Sequence, residues 1–477
     1  MNREAALQRL KSEAFDIVVI GGGATGLGCA LDAAARGYRT ALIEAQDFAK
    51  GTSSRSTKLI HGGVRYLQQG NVALVREALH ERTLLRANAP ALVRELEFFI
   101  PATSWWQRIY YGAGLRFYDA LSGDSGFPRS RTVARGLTYW DAQFDDARLA
   151  IALARTAVDC GAAVANYVRA CAFRYANGAI EGIDAVDEET HQQFSIAARV
   201  VVNAAGVFSD ELRKLDDCNA TALLRFSRGS HIVVAGSPLP NSDSALLVPR
   251  TADGRVVFAI PWYGHTLIGT TDVPVSVAEI EPQPASDEIS YLLATINPYL
   301  QRWISATDIR SAFAGLRPLV DRSAASTARL SREHVVEVSR SGLVTIAGGK
   351  WTTYRKMAQD AIDGAERQGK LGHVPCPTAK LRLRDETAQI ALLDEAQRIR
   401  HFVEHEMGRT VEDILARRMR TLFVDAEAAL AAAPACAHVL AEMLCRDDAW
   451  EQDQRHAFTS LASHYFVGNA YTEAKTP

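Results

Sequence analysis

The sequence predicts an α/β fold with a nucleotide-binding domain built from discontinuous segments, a mixed or antiparallel-sheet domain, and a C-terminal α-helical domain. Three observations predict it. A strand–glycine turn–helix–strand unit occupies residues 15–44, β-rich stretches fill the middle of the chain, and charged Ala/Leu/Arg-rich helical sequence takes over from about residue 376. At 477 residues the chain exceeds what one compact core supports, so two or three domains are expected.

The first unit is the most informative. FDIVVI (15–20) is a short β-branched run ending at glycine, the pattern of a buried parallel strand. GGGATG follows, with glycines at Gly21, Gly23 and Gly26, and Ala24 and Thr25 between them. LGCALDAAARG then carries an apolar helical face and stops at Gly37, and RTALIE forms a second strand ending at Glu44 and Ala45. Glu44 stands eighteen residues beyond Gly26. The arrangement is that of a Rossmann-like dinucleotide site. Glycines let backbone N–H groups approach a pyrophosphate, the helix start adds partial positive charge, and the acid accepts hydrogen bonds from ribose hydroxyls. This fingerprint serves FAD and NAD alike.

The chain beyond it does not continue in regular strand–helix alternation. GTSSRSTKLIHGGVRYL (51–67) is polar and glycine-containing, and a helical stretch closed by Pro90 follows. DDARLAIALARTAVDCG reads as helix, AAVANYVRACAFRY as strand, and RVVVNAAGVFSDEL (199–212) as a strand turning at Gly206 into helix. Stretches such as SHIVVAG and RVVFAIPWYGHTLIGTTDV suit a mixed or antiparallel sheet. The expected organisation is a nucleotide-binding domain from residues 14–90, 145–220 and 330–372, a substrate-binding domain from 91–144 and 221–329, and a helical domain at 376–477.

Composition narrows the function classes. Fifty-three basic and 55 acidic side chains leave a net charge of −2, with no global attraction to nucleic acid. Seven dispersed cysteines form no CxxC pair, so neither a metal site nor a redox disulfide is signalled, and a reducing compartment is expected. The first residues lack a secretory apolar stretch, and no apolar run is long enough to span a bilayer. A cytoplasmic chain is expected, free or peripheral on the inner membrane face.

Several segments together resemble the flavin-dependent glycerol-3-phosphate dehydrogenase family, within the D-amino-acid oxidase-like flavoproteins. They are IGGGATGLGCALDAAARG, GTSSRSTKLIHGGVRYL, DAQFDDARL, VVNAAGVFSDE, SRGSHIVV, VVFAIPW, IGTTDV, AGLRPLV, TIAGGKWTTYRKMA and EMGRTVEDILARRMR, in family order from residue 16 to about 425. HGGVRYL, AGLRPLV and GGKWTTYRK are specific to this family. Departures are a shorter segment between Asp124 and Tyr139, another between Pro377 and Phe402, and Ala91 where histidine is usual. The resemblance implies FAD as cofactor and oxidation of sn-glycerol 3-phosphate to dihydroxyacetone phosphate, with a membrane quinone as electron acceptor. A homodimer is compatible with it.

The reaction needs an acceptor of hydride, a base for the hydroxyl proton and cations for the phosphate. By resemblance, Arg65 and Lys350 meet the phosphate, with Tyr66 beside them, because arginine's planar fork matches phosphate oxygens. Arg317, in the apolar context AGLRPLV, implies a bound partner. The resemblance places it over the flavin to stabilise developing alkoxide, and a salt bridge to a carboxylate such as Asp321 is the structural alternative. His231 and His61 are the motif imidazoles and the candidate bases. Further flavin contacts are expected from Thr52, Ser53, Ser54, Ser56, Gly62, Val168, Gly206, Gly348, Gly349, Trp351 and Thr352. The segment 105–121 interleaves Trp105, Trp106, Tyr110, Tyr111, Phe117 and Tyr118 with Arg108 and Arg116, which suits either a membrane interface or a domain core.

Rival readings stay within reach of these residues. An oxidase using molecular oxygen needs the same half-site. An amine or D-amino-acid oxidase needs an arginine for a carboxylate but no second phosphate cation. A flavin-binding scaffold without turnover would not need Arg65, His231, Arg317 and Lys350 together.

Overall fold

The computed structural model describes residues 1–64, 67, 70–102, 104–123, 125–249, 256–321 and 334–467. Arg65, Tyr66 and Asp124 lie outside the described residues, as do 250–255, 322–333 and 468–477.

The fingerprint strand, Ala14–Ile20, runs through the middle of a first sheet. Its central residues Ile17, Val18 and Val19 are fully buried, as a strand covered on both faces requires. Thr40–Ile43 and Gln193–Asn203 flank it in parallel, and Ala163–Ala165 and Val344–Gly348 extend the parallel core on either side. Antiparallel additions close the sheet, His334–Val338 at one edge and the hairpin Val168–Ala176/Ala179–Asp187 against Gln193–Asn203. The fingerprint helix Ala24–Ala35 packs on this sheet and against the helix Tyr354–Gly369. Its small residues make that possible: a Cβ on Gly28 would lie 2.9 Å from the Tyr354 ring.

Two sequence expectations need adjusting. AAVANYVRACAFRY is not one strand; it breaks at Asn166–Tyr167, where Tyr167 takes φ +54° and the Val168 amide donates to Glu44 O at 2.8 Å. The chain turns there to pass the end of the nucleotide strand. Leu59–Ile60, inside the 14–90 segment, pairs with Gly136–Phe144 in the second sheet.

That second sheet is mixed and built mainly of antiparallel pairs. Its longest pairing joins Leu224–Ala235 to Ile309–Val320 along nearly their whole length. RVVFAIPWYGHTLIGTTDV forms the hairpin Val257–Trp262/His265–Gly269, whose two-residue turn, Tyr263–Gly264, has positive φ at both positions. Val93–Pro101 pairs antiparallel with Gly136–Phe144 and parallel with Ala245–Val248.

The C-terminal sequence is helical, with helices Glu395–Glu406, Ala426–Met443 and Asp448–Ser463. These helices share one buried core with the second sheet: Phe402, Ile414, Phe423 and Leu440 pack in the cluster that holds Phe98, Tyr139 and Phe313. No helix among the described residues is long and apolar enough to cross a membrane.

Candidate active site and nucleotide cleft

The cleft forms where the fingerprint turn, the loop after Glu44 and the start of the helix Tyr354–Gly369 converge. Gly21, Gly23, Ala24, Thr25, Glu44, Thr52, Ser53, Gly206, Gly348, Gly349, Lys350 and Trp351 all line it. Each glycine has its own reason. Gly21 has φ +114°, and a Cβ on Gly26 would fall 1.8 Å from Gly21 O, so the helix crosses the strand only without one. Gly23 caps the helix in an extended conformation and carries no side chain into the cleft. Gly348 and Gly349 both have positive φ and turn the chain into Lys350.

Glu44 is tied into this turn. Its two oxygens accept from the Gly22 amide at 2.5 Å and the Gln46 amide at 2.8 Å. Burial raises its pKa, and those two amides oppose the rise. A carboxylate oxygen accepts more than one hydrogen bond, so capacity for ribose hydroxyls remains. The glycine turn, the helix start and a lining acid fit the pyrophosphate and ribose of FAD.

The serines divide. Ser53 Oγ accepts from the Ala24 amide at 2.9 Å and so caps the fingerprint helix, while its carbonyl accepts from Trp351 Nε1 at 2.9 Å. Ser56 turns away from the cleft: its amide and hydroxyl both donate to Asp146, at 3.1 and 2.7 Å. Ser54 is fully buried. Ser54, Ser56, Gly26, Ala45, His61, Gly62, Val168 and Thr352 are not among the residues lining the cleft. Gly62 packs against Leu79 and Tyr118, with its amide donating to the Tyr118 hydroxyl at 2.8 Å. Val168 spends its amide on Glu44 O, and Thr352 donates to His61 O at 3.4 Å.

Next to the cleft, the paired strands Leu224–Ala235 and Ile309–Val320 present one face. Ser227 opposes Arg317, Gly229 opposes Gly315 and His231 opposes Phe313, so strand alternation puts all six residues on that side. That face meets the loop that continues from the cleft wall at Gly51, Thr52 and Ser53: Gly315 lies against Arg55 and His231 against Thr57. Glycines clear the space. A Cβ on Gly229 would lie 2.3 Å from Arg317 Nη2, one on Gly269 2.2 Å from His231 Cδ2, and one on Gly315 2.8 Å from Arg55 Cβ.

Arg317 is held rather than loose. Its Nη2 donates to Thr270 Oγ1 at 2.9 Å and Thr271 O at 3.1 Å, and its Nη1 lies 3.4 Å from Asp272. Asp321, the acid suggested by sequence proximity, pairs with Arg225 instead. His231 is 2% exposed, stacks on Phe313 with ring centroids 4.9 Å apart, and has Nε2 2.9 Å from Thr57 Oγ1. Burial first, then the charges of Lys58 and Arg317, push its pKa well below the ordinary histidine value. The imidazole is therefore neutral at physiological pH. His61 has its ring 6.2 Å from that of Phe258, which flanks Gly269 in register with His231.

Beneath these groups lies a charge cluster that motif reading missed. Lys58 Nζ donates to Ser54 O at 2.6 Å and to Asp146 at 2.7 Å, with both charged side chains fully buried. Burial pulls Lys58 down to about 7, against the opposing pull of Asp146. Burial would raise Asp146, but Lys58 and Arg420 outweigh it and hold its pKa below the usual carboxylate range. Asp146, Thr57, Lys58, Asp272 and Arg420 all sit inside the quoted motifs, among neighbours polar enough that nothing in their spelling marks them as buried. Of the candidate metal ligands, Asp363, Glu366 and His373 lie within reach of one another, but Arg36 donates to both acids and Tyr38 to Glu366.

Comparison with known proteins agrees with this geometry. Residues 16–355 match the family described as FAD dependent oxidoreductase, and residues 379–453 match the C-terminal domain of alpha-glycerophosphate oxidase. The mitochondrial glycerol-3-phosphate dehydrogenase of Homo sapiens is 43% identical over 416 residues, covering 80% of this chain and 57% of that protein. The chain thus spans little more than half the length of that relative. Glycerol-3-phosphate dehydrogenase 2 of Mycobacterium bovis is 40% identical over 444 residues, covering 87% of this chain and 75% of that one. The glycerol-3-phosphate dehydrogenase of Bacillus halodurans, solved in complex with FAD, aligns with a TM-score of 0.79 at 30% identity over 97% of both chains. The L-alpha-glycerophosphate oxidase of Mycoplasma pneumoniae shares the fold, with a TM-score of 0.60 at 16% identity over 78% of this chain and 100% of that one. The chain belongs to the FAD-dependent glycerol-3-phosphate dehydrogenase family.

Proposed function

We propose that this protein oxidises sn-glycerol 3-phosphate to dihydroxyacetone phosphate. The observation that carries the reading is the shared face on which Arg317 and His231 stand, cleared by glycines and bordering the nucleotide cleft. FAD, when bound, supplies a two-electron acceptor for the hydride leaving the carbinol carbon. His231 takes the hydroxyl proton, for which a neutral imidazole is the required form. It is preferred over His61 because it stands on the strand paired with that of Arg317, close enough for the guanidinium charge to help lower its pKa. The Arg317 fork, fixed by Thr270 and Thr271, stabilises the oxygen as it gains negative charge. Lys350, on the cleft wall, and Arg65 with Tyr66, carried by the HGGVRYL motif, bind the phosphate.

The electrons pass on to a quinone at the inner membrane surface. Support comes from the helix Trp105–Ser122, where Trp105, Trp106, Ile109, Tyr110 and Phe117 are exposed while Leu115 and Tyr118 hold the helix to the core. Exposed aromatics beside the exposed Arg116 suit headgroup depth and anionic lipid. Use of molecular oxygen is the alternative acceptor chemistry.

Anaerobic addition of glycerol 3-phosphate to the purified flavoprotein tests the substrate: the flavin absorption band should bleach, and no bleaching rejects the reading. Turnover with a quinone analogue should exceed turnover with dissolved oxygen. Arg65→Ala should weaken glycerol 3-phosphate by about 1.5–3 kcal/mol while leaving glycerol little changed; equal losses would remove the phosphate role.

A further inference from the structure

The C-terminal sequence EMGRTVEDILARRMR contributes nothing to the proposed chemistry, yet it carries three arginines that are almost wholly buried. Arg417 is 1% exposed, Arg418 3% and Arg420 1%. Arg417 and Arg418 stand in a π-helical turn, Asp413–Arg418, an irregularity often found at functional positions. Arginine is rarely buried without partners; Arg417 pairs with Glu412 and Asp413 of its own turn, and both Arg417 and Arg418 reach across to a loop of the nucleotide cleft.

Asp47 is the first of them. Arg417 Nε donates to it at 2.5 Å and Arg418 Nη2 at 2.8 Å, and Arg418 Nη1 contacts it as well. Asp47 sits in the loop 44–50, whose ends are bound to the fingerprint turn: the Gly22 amide donates to Glu44, and the Ala49 amide donates to Gly22 O at 2.9 Å. Lys50, which lines the cleft, pairs with Glu412 beside the same turn. Arg420 reaches the following loop directly at Ser54 O, 3.3 Å from its Nη2, and through Asp146 of the helix Asp146–Asp159, which accepts from Arg420 at 2.8 Å and from Ser56 and Lys58 at 2.7 Å each. Two successive loops of the cleft are thus fastened to one turn of the C-terminal helices.

We propose that this arginine turn is a positioning element of the flavin site, holding the loop 44–50 through Asp47 so that FAD binding depends on the C-terminal helices. The inference rests on FAD as the family's cofactor and not on the proposed substrate. A contact elsewhere in the same interface separates positioning from mere docking. Arg409 of the C-terminal part donates twice to Glu189, at 2.7 Å each, and neither side chain makes a hydrogen bond or ion pair to either loop among the described residues.

The test is FAD titration of the deflavinated full chain, followed by flavin fluorescence, for wild type, Asp47→Asn, Arg417→Gln and Arg409→Gln. Asp47→Asn and Arg417→Gln should each raise the FAD Kd by about tenfold or more, and Arg409→Gln should leave it within about threefold. An unchanged Kd in folded Asp47→Asn, or an equal loss in Arg409→Gln, would overturn the proposal. If the substitutions prevent folding, hydrogen exchange on the wild type decides. FAD should protect amides 45–50 and 413–420 together, and protection of 45–50 alone would reject the coupling.

Discussion

Replacing Gly229 with alanine tests whether the geometry around Arg317 matters to catalysis. The added Cβ would lie 2.3 Å from Arg317 Nη2 and 2.7 Å from both its Cζ and Thr270 Oγ1. Ordinary contact begins near 3.4 Å, so the guanidinium must move by about 1 Å. Gly229 lies in extended strand backbone, and the atoms displaced are the end of a flexible side chain, so the cost to folding is small. The cost to catalysis is not, because a displacement of this size in a reacting group lowers rates by about a hundredfold. The assay is stopped-flow flavin reduction under anaerobic, saturating glycerol 3-phosphate, with flavin content and melting temperature measured alongside. The expected result is a rate about a hundredfold lower in a protein that keeps its FAD and most of its stability. A rate within about threefold of wild type would refute the idea that Thr270, Thr271 and Gly229 hold Arg317 in its working position.

Three further outcomes follow from the site. The acid limb of flavin reduction should lie below the ordinary histidine range, because burial, Lys58 and Arg317 all disfavour the protonated form of His231; the rate falls only as pH drops through that lowered value. His231→Gln should remove the limb with FAD still bound, and an unchanged profile would pass the role to His61 or water. Gly23→Val should yield colourless protein, since a branched side chain would fill the cleft wall beside Ser53, and a fully yellow, folded variant would refute the nucleotide assignment. Asp146→Asn should cost about 3–5 kcal/mol by leaving Lys58 and Arg420 without their shared anion, read as a lower denaturant midpoint. Because the folded pKa of Asp146 is depressed, its contribution is present above the usual carboxylate pKa and lost as pH falls through the folded value. A wild-type acid unfolding curve superimposable on that of Asp146→Asn would contradict this.

The sequence by itself determined what short-range spacing can encode. The strand Ala14–Ile20, the glycines of the turn, the helix ending before Gly37 and the acid at Glu44 follow one another within thirty-one residues, and each is legible because its neighbours in sequence are its neighbours in space. The motif spelling AGLRPLV likewise marked Arg317 as an arginine needing a partner. Tertiary structure decided which partner. Asp321 is four residues away in sequence, but strand alternation and pairing place Arg317 against Thr270, Thr271 and Asp272, which reach it from about forty-five residues earlier. The serine loop makes the same point: the fold makes Ser53, which lines the cleft, the cap of the fingerprint helix as well, and it ties Ser56 to Asp146, ninety residues on. The arginines of the C-terminal turn reach Asp47 across some 370 residues. Backbone conformation responds to local residue order, whereas the partner of a buried charge is chosen by whichever elements the folded core brings against it, and sequence distance carries no record of that choice.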